Sequence, residues 1–329
     1  MKFVTYQASG SERAGLLINE TIVDLELAHK YARKHIPMSL GYLPATLIEI
    51  LRLGEAAMND ARLVADWILK GRAPRNVSKP LTSVTLMAPI PRPSSMRDGY
   101  AFRQHVEAAR RNRGLEMIPE FDEIPIFYFT NHQAVYGPGD IPVLPMHLDK
   151  LDFELECAII IGKEGRNIPA VKADEYIAGY MVMNDWSART LQMKEMKLNL
   201  GPAKGKDFAT SIGPFLVTRD ELASKKIETS FGEKYDLEMK TVVNGKDVSQ
   251  GNLKDMTWTF AQIIERASYG ATLYPGDVIG SGTCGTGCFL ELNGSKVYDP
   301  EWWLQEGDVV ECSVDLLGKL ENKVVLEIP

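Results

Sequence analysis

LDFELECAIIIG, residues 151–162, holds the most informative strand of the chain. In extended backbone alternate side chains share a face, so Asp152, Glu154 and Glu156 point one way while Phe153, Leu155 and Cys157 point the other. The apolar tail CAIII reads as core, which draws the acidic face at least partly inside. Neighbouring carboxylates repel, and desolvating them unpaired costs on the order of several kcal/mol. Two readings fit this strand alone. In one, a hard divalent cation with oxygen ligands, Mg²⁺, Mn²⁺ or Ca²⁺, sits between the carboxylates. In the other, the strand is an exposed edge carrying solvated glutamates.

The surrounding composition narrows the classes of function. With 329 residues, 45% of them apolar and 25% charged, the chain is long enough for one large domain or two unequal ones. A net charge of −7 argues against nucleic acid or an anionic membrane as the main partner. The start, MKFVTYQASG, has no apolar leader segment, and no run has the length of a membrane span, so a cytoplasmic location is expected. Four cysteines, Cys157, Cys284, Cys288 and Cys312, fit a reducing compartment and read as small packing residues.

Upstream, residues 3 to 25 alternate as strands around a hairpin turn at Asn19-Glu20. LIEILRL and ARLVADWIL then carry apolar residues at helical spacing, with the stretch from Lys70 and Gly71 to Pro74 as a stop signal. Residues 1–75 are thus expected to form a small N-terminal α/β module, and 76–329 the larger domain. The stretch 98–113 is expected to be a helix, placing Asp98 and His105, seven apart, on one face. A lone helical histidine is more often structural than catalytic, and the RRNR run at 110–113 reads as a solvated face from which one arginine could meet an anionic substrate.

Downstream, a helix is expected to start at Asp185 or Ser187, with Asp185, Arg189 and Gln192 on one face. GPAKGKD at 201–207 is one residue short of a phosphate loop and has Asp207 where Ser or Thr is needed. GSGTCG at 280–285 matches GxGxxG only formally, since FLELNG after it reads as a strand and turn rather than a helix. In that strand Glu291 is a lone carboxylate among apolar neighbours, and His105 is the partner that suits it. The remainder from about residue 212 is rich in strands with turn signals such as VVNGKDV and YPGDV. There is no HExxH, GxSxG or zinc spacing.

The series DGYAFRQH (98–105), DFELE (152–156), NDWSARTLQ (184–192), GKDFATSIGP (205–214), PGDVIGSGT (275–283) and FLEL (289–292) resembles the fumarylacetoacetate hydrolase family in both content and order. The resemblance spans residues 85–329. It implies an α+β, strand-rich chain whose mixed β-roll catalytic domain, usually dimeric, follows the N-terminal module. Asp98, Glu154, Glu156 and Asp185 would be metal ligands, with Thr210 near the cation. His105, oriented by Glu291, would be the general base, with Lys206 as a further catalytic group. Tyr100, Tyr128, Arg189, Gln192 and Thr283 would contact a small anionic keto acid.

What the resemblance implies is a Mg²⁺- or Ca²⁺-dependent hydrolase, with Mn²⁺ as an alternative ion. It would cleave a C–C bond of a 1,3-diketo acid such as fumarylacetoacetate or an acylpyruvate, in aromatic catabolism. Keeping the His105/Glu291 pair favours hydrolysis. The alternative is a decarboxylase or isomerase acting on oxaloacetate or a related 2-oxo dicarboxylic acid. Met196 stands where fumarylacetoacetases carry a substrate tyrosine, and Gly114, beside Arg113, where an arginine is expected.

Overall fold

The computed structural model describes residues 1–8, 10–71 and 75–327. Arg72, Ala73 and Pro74, the end of the expected stop signal, lie outside the described residues. The acidic stretch is broken into two strands, Leu151–Asp152 and Leu155–Ile161. The longer one runs through the middle of a twelve-stranded sheet, antiparallel to Ile177–Asp185 on one side and to Val278–Gly280 on the other. Every residue from Leu151 to Ile161 is buried. The solvated-edge reading is thereby excluded.

Alternation along this strand separates two cores. Cys157, Ile159 and Ile161 pack with Met239, Val310, Cys312 and Val324 of a second, five-stranded sheet, while Ala158 and Ile160 pack with Leu47, Ile50, Val64 and Trp67 of the N-terminal helices. Layers on both faces explain the unbroken apolar run AIII. The first strand, Lys2–Ala8, continues the large sheet by pairing antiparallel with Thr210–Val217. Asn19 and Glu20 both take positive φ, 46° and 59°, as a tight hairpin requires, and Asn244 with Gly245 does the same in VVNGKDV. The helices at Leu47–Arg52 and Glu55–Leu69 lie where the apolar spacing put them.

Three expectations are corrected. Asp98 belongs to the strand Met96–Gly99, which is laddered to Val278–Gly280 and to Phe127–Phe129, and the helix begins only at Arg103. Ladder hydrogen bonds on both sides outweigh the local helical pattern. Asp185 ends the strand Ile177–Asp185, and the next helix is Arg189–Met196, so Asp185 and Arg189 share no helical face. FLELNG is a helix, Phe289–Gly294. Asp152 decides this, because its carboxylate accepts from the backbone N–H of Phe289 at 2.7 Å and of Leu290 at 2.9 Å, satisfying donors that a helix start leaves free. A short helix therefore does follow GSGTCG.

Candidate active site

Three strand ends meet at one point. Met96–Gly99 brings Asp98, the gap before Leu155–Ile161 brings Glu154, that strand brings Glu156, and Ile177–Asp185 ends on Asp185. One carboxylate oxygen from each lies within 4.8 Å of the others, and all four residues are buried. Backbone closeness is possible here because a Cβ at Gly280 would stand 2.4 Å from the Asp98 carboxylate. Gly282 donates its N–H to both Asp98 Oδ1 and Glu156 Oε2, each at 3.1 Å.

Positive charge reaches only one side of the cluster. Lys206 Nζ bonds Asp185 Oδ2 at 2.6 Å and also Glu154, and Arg189 bonds Glu154 Oε1 at 2.8 Å. Glu154, against the cost of its burial, is held down to about 2 by Lys206 and Arg189. On the other side, burial and the nearby Asp185 push Asp98 up to about 7, and burial with Asp98 alongside raises Glu156 well above the usual range. Burial raises Asp185 as well, against the pull of Lys206. Protons are thus held where a cation's charge would otherwise stabilise the carboxylates. Among the described residues Asp185 Oδ1 and Thr210 Oγ1, both buried, have no hydrogen-bond partner. An all-oxygen, over-acidic set with an orphaned acceptor fits a hard divalent cation.

A cavity of about 1200 Å³ opens onto this cluster. Asp98, Tyr100, His105, Tyr128, Glu154, Arg189, Gln192, Lys206 and Thr283 line it. Glu156, Asp185, Thr210 and Glu291 are not on its wall but adjoin residues that are. Tyr128 donates its hydroxyl to Asp185 at 2.7 Å, Thr283 reaches Glu156 at 3.4 Å, and Thr210 pairs with Asp185 across the sheet. Every candidate site residue named from the sequence is therefore on the cavity wall or next to a residue that is.

His105, in the first turn of Arg103–Arg111, meets Glu291 at 2.7 Å through Nδ1. Glu291 is fixed from behind by the Thr286 N–H at 2.9 Å. With Glu291 ionised, Nδ1 is the donor and Nε2 keeps the free lone pair. Arg189 is not the surface ion pair its spacing suggested. It is buried, bonded to Asp152 Oδ2 at 2.8 Å as well as to Glu154, and it donates to Gln192 Oε1 at 3.0 Å.

Some contributors were missed. Lys150, Lys197 and Trp303 also line the cavity, and so do Arg110 and Arg113 of the RRNR run, from which the sequence reading allowed one arginine to meet a substrate. Cys288 lies against His105 and Glu291. Its place three residues before Glu291 was the available signal, but only the helix brings the two side chains together. Among the described residues no helix is long and apolar enough to cross a membrane, and the four cysteines are free and buried.

Residues 94–325 match the family described as fumarylacetoacetate hydrolase, C-terminal. The chain is 32% identical to oxaloacetate tautomerase YisK of Bacillus subtilis, over 98% of this chain and all of that one. It is likewise 32% identical to the mitochondrial oxaloacetate tautomerase Fahd2a of Rattus norvegicus, over 86% of this chain and 80% of the other. Among solved structures, a fumarylacetoacetate hydrolase from Exiguobacterium antarcticum aligns with TM-score 0.72 at 26% identity, covering 99% of this chain and 100% of that one.

These relatives overturn the expected C–C hydrolase. The preference for hydrolysis rested on the His105/Glu291 pair, and that argument does not discriminate. A histidine oriented to take a proton from water is equally placed to take one from a carbon acid.

Proposed function

We propose that this chain, which belongs to the fumarylacetoacetate hydrolase family, interconverts the keto and enol forms of oxaloacetate or a closely related 2-oxo dicarboxylic acid with the help of a divalent cation. The observation that carries the proposal is the convergence, in one cavity, of the four-carboxylate cluster and the His105–Glu291 pair. The names of the two relatives with 32% identity point to the substrate.

Asp98, Glu154, Glu156 and Asp185 would hold the cation, with Thr210 Oγ1 beside them, and Mg²⁺ or Mn²⁺ suits such a set as well as Ca²⁺. Bound there, the ion supplies Lewis-acid polarisation of a 2-oxo acid. The chain does the proton work. His105 Nε2 takes a proton from C3, its Nδ1–H held by Glu291. The C–H electron pair becomes the C2–C3 double bond, the carbonyl π pair moves onto oxygen, and that oxygen takes a proton from water while His105 returns its own to water. Lys206 and Arg189 face the negative charge that gathers on that oxygen, and Asp185 with Glu154 pushes the Lys206 ammonium above its usual range despite burial. Tyr100, Gln192 and Thr283 on the wall orient the carboxylates. The basic residues Arg110 and Arg113 suit the second one.

The test is solvent-deuterium exchange at C3 of oxaloacetate, followed by NMR with Mn²⁺- or Mg²⁺-loaded protein. Exchange well above the buffer rate, lost with EDTA and lowered about 10²–10⁴-fold in His105→Asn, is expected. Release of pyruvate and CO₂ at the rate of exchange would make the protein a decarboxylase instead.

A further inference from the structure

The helix Arg189–Met196 carries two of the candidate substrate-binding residues on the cavity wall, Arg189 and Gln192, and a carboxylate with no place in the chemistry, Glu195. That carboxylate accepts three consecutive backbone N–H groups. Ala203 donates at 2.8 Å, Lys204 at 2.8 Å and Gly205 at 3.2 Å. Three amides converging on one anion form the kind of backbone concavity that binds an anionic group. The next two residues, Lys206 and Asp207, both donate their N–H to the Ala203 carbonyl at 2.9 Å, closing a turn on this cradle. From that turn the Lys206 side chain enters the buried site.

The exposed part of this connection is tied to the helix end by its backbone, the Leu198 N–H donating to the Glu195 carbonyl at 2.9 Å and the Asn199 N–H to the Met196 carbonyl at 3.1 Å. The side chains of Leu198 and Leu200, 80% and 94% exposed, add little packing to it. At its end the backbone lies directly against the helix. A Cβ at Gly205 would be 2.5 Å from the Gln192 nitrogen, and the Gly205 carbonyl accepts the Ala188 N–H at 2.8 Å. Glu195 therefore joins one helix, bearing Arg189 and Gln192, to the turn that aims Lys206. The three backbone donors hold its carboxyl below the usual range even though burial opposes this.

We propose that Glu195 is a positioning residue for Lys206, setting where the ammonium sits relative to Glu154 and Asp185. The inference rests on the enolising reading of the site for its kinetic consequence but not for its structural one. Fixing a charged group to within a fraction of an ångström governs turnover more than binding, and supporting residues of this kind are worth about 10–100-fold in activity.

Two measurements on the metal-loaded full chain test it, with Glu195→Ala and Glu195→Gln as variants. Hydrogen–deuterium exchange of the 203–207 segment reads the cradle without any substrate. Faster exchange confined to this segment is expected in Glu195→Ala, and an intermediate effect in Glu195→Gln, whose side-chain amide retains one acceptor. In C3 exchange of oxaloacetate, Glu195→Ala is expected to lose about 10–100-fold in kcat with KM changed less than about threefold. In a Lys206→Met background the same substitution should have almost no further effect. Unchanged exchange in the 203–207 segment would overturn the proposal, as would an equal loss in the presence and absence of Lys206. If oxaloacetate is not turned over by any form, the enolising reading fails, while the exchange data still decide whether Glu195 holds the turn.

Discussion

Single residues in this site have meanings that depend on neighbours far away in sequence. Glu154 and Glu156 are two positions apart and point to the same side, yet their electrostatic states diverge. Lys206 and Arg189 reach Glu154, which is held down to about 2, whereas Glu156 meets Asp98 and is raised well above the usual range. The alternation in LDFELE disclosed that the carboxylates converge. It could not disclose which of them is cation-poor, because Lys206 lies fifty residues or more downstream and is delivered by a turn. The asymmetry makes Glu156 the ligand with most to gain from a divalent ion. Glu156→Gln should leave the fold intact, because an amide already resembles the protonated acid in shape and charge. It should weaken Mn²⁺ binding by at least about 10–100-fold, measured by calorimetric titration. Unaltered affinity would remove Glu156 from the ligand set.

Secondary-structure elements were legible where local pattern and tertiary demand agree, as in the hairpin at Asn19-Glu20 and the two N-terminal helices. They were not legible where one distant side chain decides. Asp152 turns FLELNG into a helix by accepting from Phe289 and Leu290, and it bonds Arg189 as well. Removing it strands a buried guanidinium and loosens the helix that presents Glu291 to His105. Asp152→Ala is expected to cost about 3–5 kcal/mol in urea unfolding, as breaking a buried ion pair does. A loss under 1 kcal/mol would show that Glu154 suffices for Arg189. Elsewhere a carboxylate works against the hairpin it contacts. Asp174 sits beside the hairpin Lys226–Thr229 and Gly232–Tyr235, accepts the Glu233 N–H at 3.0 Å, and is pushed up to about 6 by burial and by Glu233. An acid with a raised folded value binds its proton more tightly when folded, so its contribution is favourable in acid and is lost as pH rises from about 4 to about 6. Asp174→Asn keeps the acceptor and loses the charge. It should be neutral at pH 4 and stabilising at pH 7 by up to about 1 kcal/mol once solvent screening is allowed for, read from unfolding midpoints at the two pH values.

On the scale of the molecule, the site depends on a sheet that is continuous through the N-terminal residues. The strand bearing Glu156 has the N-terminal helices against Ala158 and Ile160 on one face, and the five-stranded sheet against Cys157 and Ile159 on the other. Composition and turn signals led to the expectation of a small leading module and a strand-rich remainder, but not that Lys2–Ala8 would hydrogen-bond to Thr210–Val217. Pairing across more than two hundred residues leaves no local trace. If the leading helices are one face of the catalytic core, damage to them should reach the metal site. Ile50 is fully buried in that face, and Ile50→Ala should cost about 2–5 kcal/mol through lost apolar contact and the cavity left behind. In calorimetry the whole chain should then melt earlier in a single transition, and Mn²⁺ should raise that transition in the variant as in the parent, since a ligand of the native state stabilises everything that unfolds with its site. A separate early transition, insensitive to Mn²⁺, would instead show that the leading residues fold and fail on their own, and that the carboxylate cluster does not need them.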